Sequence, residues 1–157
     1  MSNPYKPTDS AEAGRAATSL TSLPPLEDTK TQVEAAIVNL GKQITTLVPT
    51  LQWDWVREDS RGGCQPPYEQ SDGEVILLRN YVATEPIPEQ HWQQAYDLAQ
   101  KAAGALGATM VTTLSDAPNN HDVQFSSSTG TLLRFGSKAT ALITGSTGCR
   151  LPTAKHP

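Results

Sequence analysis

The sequence predicts an α+β domain: two helices packed on one face of a mainly antiparallel sheet of five or six strands, closed by one disulfide. Three observations predict it. Apolar residues recur at helical spacing in two separated stretches, from Val33 to Val48 and from Trp92 to Leu106. The stretches between and after them are β-branched, alternating and punctuated by turn residues. Two cysteines, Cys64 and Cys149, sit in glycine-rich turns on either side of most of these elements.

Length and charge bound the rest. A chain of 157 residues suits one domain. The net charge is −4, and the 12 Lys and Arg are scattered, which argues against nucleic acid as a partner. No stretch approaches the roughly 20 apolar residues that span a bilayer. Met1-Ser2-Asn3-Pro4 lacks the basic-then-apolar pattern of a secretion leader, so export implies a leader that has been removed.

Residues 1–27 are rich in Pro, Ser, Thr and Ala, with Leu20, Leu23 and Leu26 as the large aliphatics. Such a segment buries too little apolar area to offset its ordering entropy. It reads as a flexible spacer, with a weak helix around Ala11 to Leu20 or a cloning remnant as alternatives. The domain then covers 28–152, and 153–157 is a polar C-terminal end.

The first helix carries Val33, Ala36, Ile37, Leu40, Ile44, Leu47 and Val48 on one stripe. Thr31 and Glu34 stand in capping-box spacing, Asp28 is a second candidate cap, and Pro49 stops the helix. Leu51 to Arg57 alternates, with Leu51, Trp53 and Trp55 on the buried face of a strand. Ser60 to Gly73 reads as a loop containing Cys64 and Pro66-Pro67. Glu74 to Thr84 reads as a second strand, paired with the first across that loop.

Pro88 suits the opening of the second helix, which runs to about Leu106. Trp92, Ala95, Tyr96, Ala99, Ala102, Ala103 and Leu106 face inward, and Gly107 is a natural cap. Strands follow over Thr109 to Leu114, Asp122 to Ser127, Leu132 to Phe135 and Ala139 to Thr144. Pro118-Asn119-Asn120 and Ser128-Thr129-Gly130 mark the turns.

Two cysteines in loops flanking the core read best as one disulfide formed outside the cytoplasm. A redox pair fits less well, because such thiols stand as Cys-x-x-Cys near a helix start. Two unpaired thiols would give the same count. Closing so long a loop would stabilise by roughly 4–5 kcal/mol on the chain-entropy account.

The order of motifs resembles the LppA-like lipoprotein family of mycobacterial cell envelopes. The residues that carry the resemblance are Leu51-Gln52-Trp53-Asp54-Trp55 after an amphipathic helix, then Gly63-Cys64 and Trp92 on the second helix. Leu106-Gly107-Ala108-Thr109, Asp122-Val123, Leu142-Ile143-Thr144-Gly145 and Gly148-Cys149 follow in order. The resemblance covers roughly 30–152. It implies an extracytoplasmic protein, lipid-anchored to the cell membrane through an acylated N-terminal cysteine that this chain does not contain. Residues 1–27 would be the spacer after that cysteine. No enzymatic activity comes with the resemblance.

The candidate chemistry is sparse. Ser115, Asp116, His121, Asp122 and Ser126 to Ser128 supply the residue types of a hydrolase triad, without a Gly-x-Ser-x-Gly elbow. His121, after a Pro-Asn-Asn turn, is expected to be exposed. His91, His121 and His156 show no metal-ligand spacing, and no cofactor is implied. Asp54 is expected to face solvent. Trp53, Trp55, Trp92 and Tyr96 are candidates for an apolar ligand pocket, with core packing as the simpler reading. Pro66-Pro67-Tyr68 could form a contact loop, and Gly145 to Gly148 reads as a flexible approach to Cys149. The function expected is a non-catalytic binding or interaction module of the envelope, with an envelope protein or a lipid as partner. A carrier of an apolar ligand is the alternative, and a hydrolase a distant one.

Overall fold

The computed structural model describes residues 6–157. Three helices form: α1 (Ser10–Ser19), α2 (Leu26–Leu47) and α3 (Glu89–Ala105). Eight strands form: β1 (Trp53–Val56), β2 (Ser60–Gly63), β3 (Glu74–Leu77), β4 (Asn80–Ala83), β5 (Met110–Ala117), β6 (Asn120–Ser126), β7 (Leu132–Ser137) and β8 (Ala141–Ser146). They make one antiparallel sheet in the order β1-β4-β8-β7-β6-β5, with β2 on β3 and β3 on β8. The fold is α+β, as the sequence predicts.

The strand number is higher than the expected five or six, for a local reason. The stretch Glu74 to Thr84 is one path against β8, broken at Leu78-Arg79. There the Arg79 amide donates to the Asp59 carboxylate at 2.8 Å instead of continuing the ladder. The residues read as a loop after Arg57 include β2, which pairs with β3. Arg57, at φ 68°, ends β1. The expected pairing of the first two strands holds as β1 on β4.

One face of the sheet is apolar and one is wet, the usual state of an antiparallel sheet. Val123, Phe125, Leu133, Phe135, Ala141 and Ile143 are all at most 2% exposed and share one face through their cross-strand pairing. Asp122, Gln124, Arg134 and Thr144 occupy the other. α2 presents Leu26, Val33, Ile37, Leu40 and Ile44 to the buried face, and α3 presents Trp92, Ala95, Ala99 and Ala103. Gly145 lets α2 approach closely: a Cβ there would lie 2.8 Å from both Val33 Cγ1 and the Leu132 carbonyl oxygen. Gly107, at φ 78°, closes α3 as expected, and the Ala108 amide returns to the Ala103 carbonyl at 2.9 Å.

Two sequence expectations need correction. α2 starts at Leu26, so neither Thr31 nor Asp28 caps it. Its N-cap is Pro25, and the Leu26 amide donates to the Leu151 carbonyl at 2.8 Å. Nor is the described part of 1–27 a loose spacer. Asp9 caps α1 through the amides of Ala11 and Glu12, and Ala13, Ala16 and Leu20 are buried. Thr8 donates to the Glu69 carboxylate. Leu20 completes a small second core with Cys149 and Leu151, lined by Leu23, Cys64, Tyr68 and Val75. The weak helix read around Ala11 to Leu20 forms as α1, and Leu20 at its C-terminal cap supplies the one large side chain that packs into the second core. The expected polar end at 153–157 docks too, with the Thr153 amide on Glu27 and His156 Nε2 donating to the Leu23 carbonyl at 2.8 Å.

Candidate functional site

Cys64 and Cys149 are bonded to each other, with Cα atoms 5.7 Å apart across a separation of 85 residues. The bond joins the end of β2 to the segment after β8. Gly145 to Gly148, expected to be flexible, is buried throughout. Thr147 fixes it, its hydroxyl accepting from the Ile76 amide at 3.0 Å. Tyr68 of the expected contact loop packs against the disulfide core instead of standing free.

The four aromatic pocket candidates fall into two groups. Trp53 and Trp55 flank Tyr81 on β4, with ring centroids at 5.5 and 4.5 Å. Trp53 Nε1 donates to Thr45 on α2 at 3.0 Å, and the Arg79 guanidinium lies 4.6 Å over the Trp55 ring. Burial, and secondarily the exposed Asp54 carboxylate, pushes the Tyr81 hydroxyl pKa up. Trp92 and Tyr96 sit on the same helix-covered face, farther along the sheet over β6 and β7. Trp92 stacks on Phe135 at 5.0 Å, and Tyr96 leans on Phe125 at 5.8 Å. Trp92 and Tyr96 line a cleft of about 160 Å³ with Thr113, Ser115, Asp116 and Val123; Trp53 and Trp55 are not among its walls.

His121 is not exposed. β5 extends to Ala117 and β6 begins at Asn120, so the turn shortens to Pro118-Asn119, with Asn119 at φ 59°. His121 therefore lies on the strand, on the helix-facing side, 7% exposed. Its Nδ1 is 3.0 Å from Asp116 Oδ1, and its Nε2 is 2.8 and 2.9 Å from the two Glu89 oxygens. Both ring edges thus face carboxylates. A triad needs one edge on a hydroxyl, and no serine takes that place among the described residues. The two carboxylates lie on opposite edges of the ring, so they cannot converge on a metal, and no group of three ligating side chains forms among the described residues. The Asn119 amide, followed by His121, holds the Glu89 carboxyl below the usual glutamate pKa.

Two surfaces bear on binding a partner. A groove of about 600 Å³ runs between α2 and α3, floored by Ala35, Ala36, Leu40, Ala102 and Ala105 and crossed by Lys101. β5 is one edge of the sheet, with β1 at the other end of the strand order. Among the described residues it pairs with β6 alone, and Met110, Val111 and Leu114 are 42–52% exposed.

Sequence reasoning missed two residues. Glu89 lies 32 positions from His121, and nothing local links them. Arg150, near the end of the 28–152 domain, carries no mark of a buried charge in its residue type, yet it is 3% exposed. Its place in the run Cys149-Arg150-Leu151-Pro152 was the available signal.

No helix among the described residues is long and apolar enough to cross a membrane. No curated relative matches the chain. Among solved structures, the fold is similar to the lipoprotein LppA of Mycobacterium tuberculosis. The TM-score is 0.74 at 12% identity, covering 92% of this chain and 89% of that one. It is also similar to a DUF4853 family protein of Actinomyces odontolyticus, with a TM-score of 0.52 at 14% identity, covering 99% and 75%. Such identities speak for the fold alone. The family described as LppA, a lipoprotein confined to pathogenic Mycobacterium, matches residues 1–153, and the chain belongs to that lipoprotein family.

Proposed function

We propose that the protein is a non-catalytic interaction module, held at the outer face of the plasma membrane by an N-terminal lipid group, which takes an extended segment of another envelope polypeptide onto β5. Membership of a lipoprotein family and the Cys64–Cys149 bond support the placement. The observation that carries the interaction reading is the state of β5. It is eight residues long and, among the described residues, ladder-bonded on one side only. Edge strands are normally guarded by Lys, Pro, a bulge, an inward charge or a covering element; β5 has the bulge, between Thr113 and Ser115, and of the other guards only Asp116 near its end. Residues 110–115 contain no charge and no Pro, and three exposed apolar side chains line them. Main-chain hydrogen bonds would supply affinity, and Met110, Val111 and Leu114 selectivity.

The test is photo-crosslinking in living cells from a benzoylphenylalanine at Thr112, compared with one at Asn39 in the α2–α3 groove. A polypeptide adduct from Thr112, lost when Val111→Lys and Leu114→Lys are added, supports the reading. Adducts from Asn39 alone overturn it, and a lipid adduct there would favour a carrier.

A further inference from the structure

Arg150 carries a buried charge that the protein leaves without a counter-ion. Its NH1 group donates to the carbonyls of Thr129 and Cys149, both at 2.7 Å. Its NH2 group donates to the hydroxyls of Thr131 and Thr129, at 2.9 and 3.2 Å. All four acceptors are neutral. Nε has no partner, and Arg150 forms no ion pair among the described residues. Burial lowers its pKa from the ordinary guanidinium value, and the Tyr68 hydroxyl is the nearby group that opposes this. A buried cation normally finds an anion, because desolvation is costly and neutral dipoles offset only part of it.

The structure has a place for one. Arg150 lines a cleft of about 160 Å³ between the first turns of α2 and the turn after β6. The other polar walls are Thr29, Gln32, Thr129 and Thr131, and no acidic residue lines it. The Thr29 and Thr131 hydroxyls already donate to the Pro25 and Thr147 carbonyls, so an oxyanion there would take its hydrogen bonds from the Gln32 amide and the Thr129 hydroxyl, while the guanidinium acts through its charge.

We infer that this cleft is a binding site for a small oxyanion, such as inorganic phosphate or the phosphate of a lipid headgroup, with Arg150 as its counter-charge. The site is independent of β5 and rests on different residues.

Titration of the ¹⁵N-labelled chain with inorganic phosphate, at constant ionic strength, tests this. Saturable amide shifts confined to Gln32, Gly130, Thr131 and Gly148 are expected. Arg150→Met removes four hydrogen bonds and can fail to fold, so the deciding variant is Gln32→Glu. It lies at an exposed helix position and brings a carboxylate to the cleft wall. It should fold normally and bind phosphate about fivefold more weakly, the size of one partly screened like-charge contact. Shifts that are linear and scattered, or equal in wild type and Gln32→Glu, overturn the site. Glycerol 3-phosphate is the second arm. Tighter binding than free phosphate assigns the site to a headgroup, and weaker binding assigns it to the free ion.

Discussion

The imidazole of His121 lies face to face with the indole of Trp92, their centroids 4.2 Å apart and their planes within 6°. Glu89 and Asp116 grip the two edges of the same ring, so the start of α3 is pinned to the β5–β6 hairpin. Both contacts are hydrogen bonds only when both ring nitrogens carry protons.

The pH dependence follows from Glu89. Its folded pKa is depressed, first by the Asn119 amide and then by His121. The carboxylate therefore contributes stability in full above its unfolded pKa. That contribution is lost as pH falls through the folded value. Urea midpoints measured between neutral and strongly acidic pH should fall in this window for the wild type. Glu89→Gln should start lower at neutral pH and fall less steeply; parallel curves would refute the link.

Leu20 tests whether the N-terminal segment belongs to the domain. Its side chain is 1% exposed, and its Cδ1 lies close to the position a Cβ on Gly73 would take. Leu20→Ala should cost about 2–4 kcal/mol, as other buried leucines do. Chemical denaturation reads this directly. No change would mean that α1 is the loose spacer its composition suggests.

Gly145 tests the seat of α2 on β8. The added methyl of Gly145→Ala would press on a backbone carbonyl at 2.8 Å, which cannot rotate away. A loss of about 1–3 kcal/mol is expected from overpacking. An unchanged urea midpoint would show that α2 is not held against the sheet there.

The sequence revealed periodic elements well and partnerships poorly. α2, α3, β1 and β6 to β8 announce themselves through spacing, because one buried face imposes a period on the side chains; β5, exposed along most of its length, shows only in its β-branched composition. The break at Leu78-Arg79 does not, since the polar pair Arg79-Asn80 is its only mark in a stretch that is otherwise apolar and β-branched from Val75 to Thr84. Its cause is Asp59, 20 residues away. α1 was obscured for a related reason: Ala13, Ala16 and Leu20 are too few to drive folding, and the patch that receives Leu20 is built from Cys149, Leu151 and Val75. His121 looked exposed because its turn looked longer than it is. The disulfide was legible from two glycine-rich contexts, while the two tryptophan groups looked like one because strand order is not written locally.

The Cys64–Cys149 bond lies in the small core that also holds Leu20, and the proposed placement outside the cytoplasm leans on it. Cys64→Ser should cost about 4–5 kcal/mol on the chain-entropy account, read as a fall in urea midpoint. The most direct measurement is alkylation of the chain recovered from cell envelopes, denatured with iodoacetamide before and after reduction, and weighed intact. A stapled envelope domain takes up no label before reduction and two labels after it. Two labels without reductant would contradict the bond and remove the physical support for an envelope location.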